Sequence, residues 1–306
     1  MFQYIVRRLL AAIPTLFGVA CIVFLMVRLL PGDPARTIAG PLASEADVAM
    51  IRESLGLTKP IEVQFLTFLG NLLRLDLGLS ARTSQPVLGE VMARLPYTFQ
   101  LALVAITLAT IIGVTAGILA ATHHNTATDY LTSAFSLFGV SMPVYWLGLM
   151  LIVIFAINLR MFPAAGADQP ISFVLPGLTL ALYATGLIAR MTRSSMLEVL
   201  KQDYIQTARA KGLGEQVVVY GHALRNALLP VITIVGLQFG TLLGGAVLTE
   251  SVFGWPGIGR LLVESIFSRD YPLVQGIVLT FSTSFIFVNL AVDVLYAYVD
   301  PRIHYD

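Results

Sequence analysis

Six apolar stretches dominate the sequence, at residues 9–30, 98–121, 131–159, 173–189, 227–248 and 273–299. Each is about long enough to carry an α-helix across the roughly 30 Å hydrocarbon core of a bilayer at 1.5 Å per residue. A chain with six such runs cannot bury them all in a soluble core, so it is expected to be an all-α polytopic membrane protein with six transmembrane helices. Arg7 and Arg8 precede the first run, as in a secretory leader. That run ends in Arg28 and Leu-Pro-Gly-Asp-Pro without a small-residue cleavage motif, so it is expected to be retained as a helix. The composition agrees: 57% of the 306 residues are hydrophobic and 12% charged, against about a quarter charged in a soluble domain. A net charge of +1 gives no basic field for nucleic acid. The single cysteine, Cys21, lies in the first run with no second thiol to pair with.

An even number of spans places both termini on one side. With the N-terminus cytoplasmic, the inner segments hold Arg7, Arg8, Arg190, Arg193, Lys201, Arg209, Lys211, Arg225 and Arg302; the short outer loops hold Arg160, Arg260 and Arg269. This excess inside favours an N-in, C-in arrangement. The loop at 123–130 has no Lys or Arg and is the weak point. The expected division is the N-terminus and first span at 1–30, an extracytoplasmic helical segment at 31–96, and a transmembrane core at 97–306.

In the outer segment, Ser44 followed by Asp47 reads as a capping box, with Gly56 as the stop. A second helix is expected over 61–75, where Phe65, Leu66, Phe68, Leu69, Leu72 and Leu73 form an apolar stripe that must cover something. Between the fifth and sixth runs, glycines 254, 257 and 259 surround Trp255-Pro256 in a tight turn. A short apolar helix is expected after it, with Trp255 and Tyr271 at the membrane interface and Glu250 interfacial.

Within the runs, Pro143 and Pro176 each remove a backbone hydrogen bond. Gly236, Gly240 and Gly244 repeat at four-residue spacing on one face of the fifth helix. They serve either close helix packing or, with Pro143, a translocation path or moving interface. Asn289 and Asp293 are intramembrane polar residues one turn apart, for which a structural hydrogen bond outweighs a proton relay. Catalytic chemistry is not expected: the four histidines lie apart from any metal-ligand spacing, and no phosphate loop, nucleophile elbow or zinc-protease motif occurs. No catalytic, cofactor or metal site is therefore assigned.

The polar stretch at 198–230 is a cytoplasmic loop under this arrangement, inside a loop region of about 190–229. It reads as a helix over 194–210, a turn at Gly212 and Gly214, and a second helix from Val217 running into the membrane through Pro230. Its segments Thr207-Ala-Arg-Ala-Lys-Gly212 and His222-Ala-Leu-Arg-Asn-Ala-Leu-Leu-Pro230 resemble the cytoplasmic loop of binding-protein-dependent ABC importer permeases of the oligopeptide, dipeptide and nickel family. Leu30-Pro-Gly-Asp-Pro34, Leu55-Gly-Leu57 with Pro60, Asp76-Leu-Gly-Leu-Ser80, Gly139-Val-Ser-Met-Pro143, Phe253-Gly-Trp-Pro-Gly-Ile-Gly-Arg260, Arg269-Asp-Tyr-Pro272 and Asp293 through Asp300-Pro-Arg302 extend the resemblance over nearly the whole chain.

The resemblance implies an ATP-driven permease subunit of the bacterial inner membrane that works by alternating access and binds no cofactor itself. ATP and magnesium would belong to two separate ATP-binding partner subunits. It also implies a second permease subunit, as a heterodimer or a homodimer, and an extracytoplasmic substrate-binding protein. Thr207, Ala208, Arg209, Ala210, Lys211 and Gly212 would form the helix that couples to the ATPase. The wider pattern begins Glu-Ala-Ala, whereas this chain has Gln206-Thr207-Ala208, so its acidic anchor is missing. The implied cargo is di- or oligopeptide, with nickel chelate or glutathione as the alternatives; an ion-gradient-driven carrier and a membrane enzyme are rivals of other classes.

Overall fold

The computed structural model describes residues 2–29, 34–40, 43–54 and 56–299. The Leu30-Pro-Gly-Asp motif start, Leu55, and Asp300-Pro-Arg302 fall outside these. The helices in chain order are α1 (Phe2–Leu29), α2 (Pro34–Ala39), α3 (Glu45–Ser54), α4 (Ile61–Leu73), α5 (Val87–Thr122), α6 (Ala127–Ser141) and α7 (Val144–Leu151), which passes into a π-helical segment at Ile152–Asn158. A 3-10 turn, Pro170–Phe173, leads into α8 (Val174–Val199). Then come α9 (Asp203–Ala210), a π-helical segment (Val217–Ala223), α10 (Leu224–Val252), α11 (Ile258–Phe267) and α12 (Tyr271–Val299).

Five of these helices are long and apolar enough to cross a membrane, and a bent pair makes six if it is counted as one span. The bent pair corrects the expectation of one helix at 131–159: α6 and α7 meet at 105°. The cause is local. Proline disfavours helical backbone in the residue before it, and Met142 is extended at φ −81°, ψ 132°. Pro143 then opens α7, where its missing N–H costs nothing. Pro176 is absorbed in the same way, in the first turn of α8. The expected helix at 194–210 also differs. α8 continues to Val199, a hydrogen-bonded turn occupies 200–202, and a separate helix α9 follows.

The chain packs as two units. The first comprises Phe99–Trp255 with the described chain from Val288 to Val299. Leu101, Ala105, Leu180, Ala184, Ile188, Leu243, Ala246 and Trp255 belong to its buried core. Small residues let α6 and α8 approach closely. A Cβ on Gly139 would lie 2.7 Å from the Leu182 carbonyl oxygen, and one on Gly186 would overlap the carbonyl oxygen of Ser136. Trp255 is fully buried, its ring edge-on to Phe173 at 4.5 Å between centroids. Its backbone N–H donates to the carbonyl of Glu250 at 2.8 Å, and Glu250 too is fully buried. The turn, with Gly254 at φ +58°, lets the large indole pack inward.

The second unit comprises Phe2–Thr98 and Pro256–Phe287. The capping box forms: Ser44 Oγ accepts from the Asp47 N–H at 3.2 Å, and Asp47 Oδ2 accepts from the Ser44 N–H at 3.1 Å. The Ser44 hydroxyl, which donates to Oδ2 at 2.7 Å, and then the Ser44 N–H hold the Asp47 carboxyl below its ordinary pKa. Gly56 ends the segment at φ +67°. The stripe on α4 covers α1. Phe24 lies 5.0 Å from Phe65 and 5.6 Å from Phe68 between centroids, and Leu69 and Leu72 pack near Ala20 and Val23. Leu66 and Leu73 remain exposed. Buried Asp270 ties a tight loop at 78–84 to the start of α12: it accepts from Ser80 Oγ, from the Ala81 N–H at 3.1 Å and from the Leu273 N–H at 3.2 Å.

Candidate functional site

The polar loop between α8 and α10 folds into a knob with a buried underside. On α9, Ile205 and Ala208 point inward and join Ile118 and Ala121 of α5, Met196 of α8, and Val218, Val219 and Ala223 of the π-helical segment. Burial of these side chains fixes which face of a two-turn helix remains for a partner. A helix this short is not stable by its own propensity. Its end is closed by a Schellman cap: Gly212 N–H donates to the Arg209 carbonyl at 2.9 Å and Leu213 N–H to that of Ala208 at 3.4 Å. Gly212 sits at φ +78°, a conformation that favours glycine.

Of the six residues expected to couple, Thr207, Ala210, Lys211 and Gly212 are exposed, Arg209 is half-buried, and Ala208 faces its own chain. Ala208 therefore supports the knob from beneath instead of offering contact. Arg209 grips Glu215 with a two-bond fork, Nη2 to Oε1 at 2.7 Å and Nε to Oε2 at 3.1 Å. Hydrogen bonding by this guanidinium holds the Glu215 carboxyl below the usual range, and Glu215 raises the Arg209 pKa in return. Arg209 is thus occupied in closing the glycine turn. Among the described residues Lys211 has no acidic partner.

The sequence reading missed the apolar side chains around this helix. Tyr204, Leu213, Val217 and Tyr220 are all exposed, and the Tyr204 hydroxyl accepts from Asn226 Nδ2 at 2.6 Å. Exposed aromatic and aliphatic groups around a polar helix have the composition of a contact surface. Two tyrosines inside a polar loop were the available signal.

The other expected residues do not gather at one place. Pro143 is exposed at the α6–α7 bend. On α10, Gly236 and Gly240 are buried, whereas Gly244 is exposed with open space where a Cβ would stand. At Gly236 a Cβ would overlap Val292 Cγ1, so this glycine is a helix crossing with α12. Asn289 and Asp293 are half-buried on α12. Among the described residues no group of three or more His, Cys, Asp or Glu is placed to hold a metal.

Comparison with known proteins fits these features. Residues 113–305 match the family described as binding-protein-dependent transport system inner membrane component, and residues 1–102 match its N-terminal companion. The chain is 47% identical over 305 residues to the glutathione transport system permease protein GsiC of Escherichia coli strain K12, covering all of both chains. It is 46% identical over 333 aligned positions to the dipeptide transport system permease protein DppB of Alkalihalophilus pseudofirmus, again over all of both. Among solved structures, an inward-facing MetNI methionine ABC transporter chain aligns at a TM-score of 0.62 with 19% identity, covering 71% of this chain and all of that one. A chain of an amino acid ABC transporter aligns at 0.53 with 16% identity, covering 70% and 94%. Those two show a shared fold, and the family matches with the full-length relatives show more: this chain belongs to the binding-protein-dependent transport system inner membrane components, the permeases of oligopeptide- and dipeptide-type ABC importers.

Proposed function

We propose that this permease moves short peptides inward by alternating access, with N- and C-termini cytoplasmic and α9 as the helix that couples it to a separate ATPase subunit. The observation that carries the reading is the construction of α9. It is held from beneath by Ile205 and Ala208, closed by Gly212 and braced by Arg209–Glu215, while it presents Thr207, Ala210 and Lys211 within a rim of Tyr204, Leu213, Val217 and Tyr220. Small side chains allow close docking, and the Lys211 cation suits an acidic groove. The partners in this reading are two ATPase subunits that hold ATP and magnesium, a second related permease subunit, and an extracytoplasmic binding protein. For cargo, the relatives GsiC and DppB are named for glutathione and dipeptide transport. The first is a tripeptide, so short peptides are the class common to both. Pro143, Gly240 and Gly244 are assigned to the moving interface or the path, and Asn289 and Asp293 to a structural role.

The test is uptake in proteoliposomes containing the whole transporter. Labelled di- and tripeptides are expected to accumulate only with the binding protein outside and ATP inside. Lys211→Glu is expected to lower uptake per ATP hydrolysed. Uptake that follows an ion gradient without ATP would overturn the reading in favour of a secondary carrier.

A further inference from the structure

Asp129 lies in the first turn of α6, and its side chain is 3% exposed. Its partner is Arg193, 64 residues away on α8: Nε donates to Oδ1 at 2.6 Å and Nη2 to Oδ2 at 2.7 Å. The Asn125 N–H donates to Oδ2 at 3.0 Å, Ser133 Oγ lies 3.4 Å from Oδ1, and His124 Nδ1 lies 3.0 Å from Oδ2 and 3.2 Å from Arg193 Nη2. Every oxygen of the carboxylate is thus engaged, so the pair is held in one geometry instead of sampling many.

Its surroundings say what it does. Toward the C-terminal end of α6 and the middle of α8, Gly139 and Gly186 bring the two helices into close backbone contact. A cavity of about 300 Å3 runs from the ion pair along the seam to this crossing, lined by Ala116, Gly117, Ser136, Val140, Gly186 and Arg193 among others. At this end of α6 the fork thus joins the two helices directly, beside the cavity. On the far side, α8 runs without interruption to Val199, and the turn to α9 is closed by bonds from Leu200 N–H to Met196 at 2.9 Å and from Gln202 N–H to Val199 at 3.0 Å. Motion of α9 thus reaches Arg193 through hydrogen-bonded helix. Motion of α6 then ends at the Met142–Pro143 bend, where the backbone leaves the helix.

We infer that Asp129 and Arg193 are positioning residues that carry the displacement of α9 across to α6, making α6 and α8 one lever with its pivot at Pro143. The inference rests on the proposed coupling role of α9. A structural ion pair needs only opposite charges; a strut needs the two-point grip, and lysine supplies the first without the second.

The test uses the full transporter in proteoliposomes, reading peptide uptake per ATP hydrolysed beside the amount of assembled complex. Arg193→Lys is expected to assemble and to lose about three- to tenfold in that ratio, the size of effect expected when a coupling element is altered. Wild-type ratios in Arg193→Lys and Asp129→Asn would overturn the inference. Where these variants do not assemble, the pair Asp129→Cys with Arg193→Cys, in a Cys21→Ala background and bridged by a short bis-methanethiosulfonate, decides the matter. Bridging is expected to restore at least half of the wild-type ratio, and a bridged transporter that stays uncoupled counts against the strut. Lys211→Glu separates the two readings. If it leaves coupling intact, the role of α9 fails; if it uncouples and Arg193→Lys does not, only the strut fails.

Discussion

At Gly212 the backbone is at φ +78°, where an L side chain costs about 1–2 kcal/mol. Open space surrounds the site of a Cβ, so Gly212→Ala is a backbone perturbation without a clash. It is expected to leave the complex assembled and to lower uptake per ATP hydrolysed by misplacing the end of α9. Its neighbour Arg209 gives a pH signature. Because the folded-state pKa of Glu215 is depressed, the pair's stabilisation is present above the unfolded value of about 4.3 and is lost as pH falls through the lower folded value. With side chains 35% and 61% exposed, that contribution stays below about 1 kcal/mol, and the titration itself is the better measurement. In 13C-carboxyl NMR, Arg209→Gln is expected to raise the Glu215 midpoint to the ordinary glutamate value. An unmoved midpoint would exclude the fork. None of this pairing was visible in periodicity, because Arg209 and Glu215 flank a glycine turn whose direction depends on the sign of φ at Gly212.

At the scale of elements, the glycines of α10 divide by what stands opposite them. Gly236→Ala places a methyl group into Val292, an overpacking that costs about 1–3 kcal/mol. The melting temperature of the purified protein is expected to fall, and Val292→Ala on the same chain to restore it. Gly244→Ala meets open space and is expected to leave the melting temperature unchanged. The four-residue spacing showed that these glycines share a face; only the position of α12 shows which of them is a crossing. The apolar runs were legible because bilayer thickness imposes a length on them. The break at Pro143 was legible as a lost hydrogen bond, but its 105° angle depends on the extended Met142 and the packing of two separate helices. The burial of Trp255 was not legible in the sequence, because it involves Phe173, far away along the chain.

For the whole molecule, the N-in, C-in arrangement makes a simple claim. In a Cys21→Ala background, cysteine at exposed Arg82 is expected to react with an impermeant maleimide on intact spheroplasts, and cysteine at exposed Lys211 only after permeabilisation. The reverse pattern would invert the topology. The loop at 123–130 weakened that argument, having no Lys or Arg of its own. Charge counting cannot see that Arg193, contributed by α8, supplies the cation that this end of α6 uses.

The separation of Asp129 from Arg193 also bears on biosynthesis. α6 leaves the ribosome while Arg193 has yet to be translated, so Asp129 spends that interval without the guanidinium that later holds it. An isolated carboxylate is tolerated in water and is costly in hydrocarbon. The nascent α6 must therefore keep its first turn at the aqueous surface until α8 arrives.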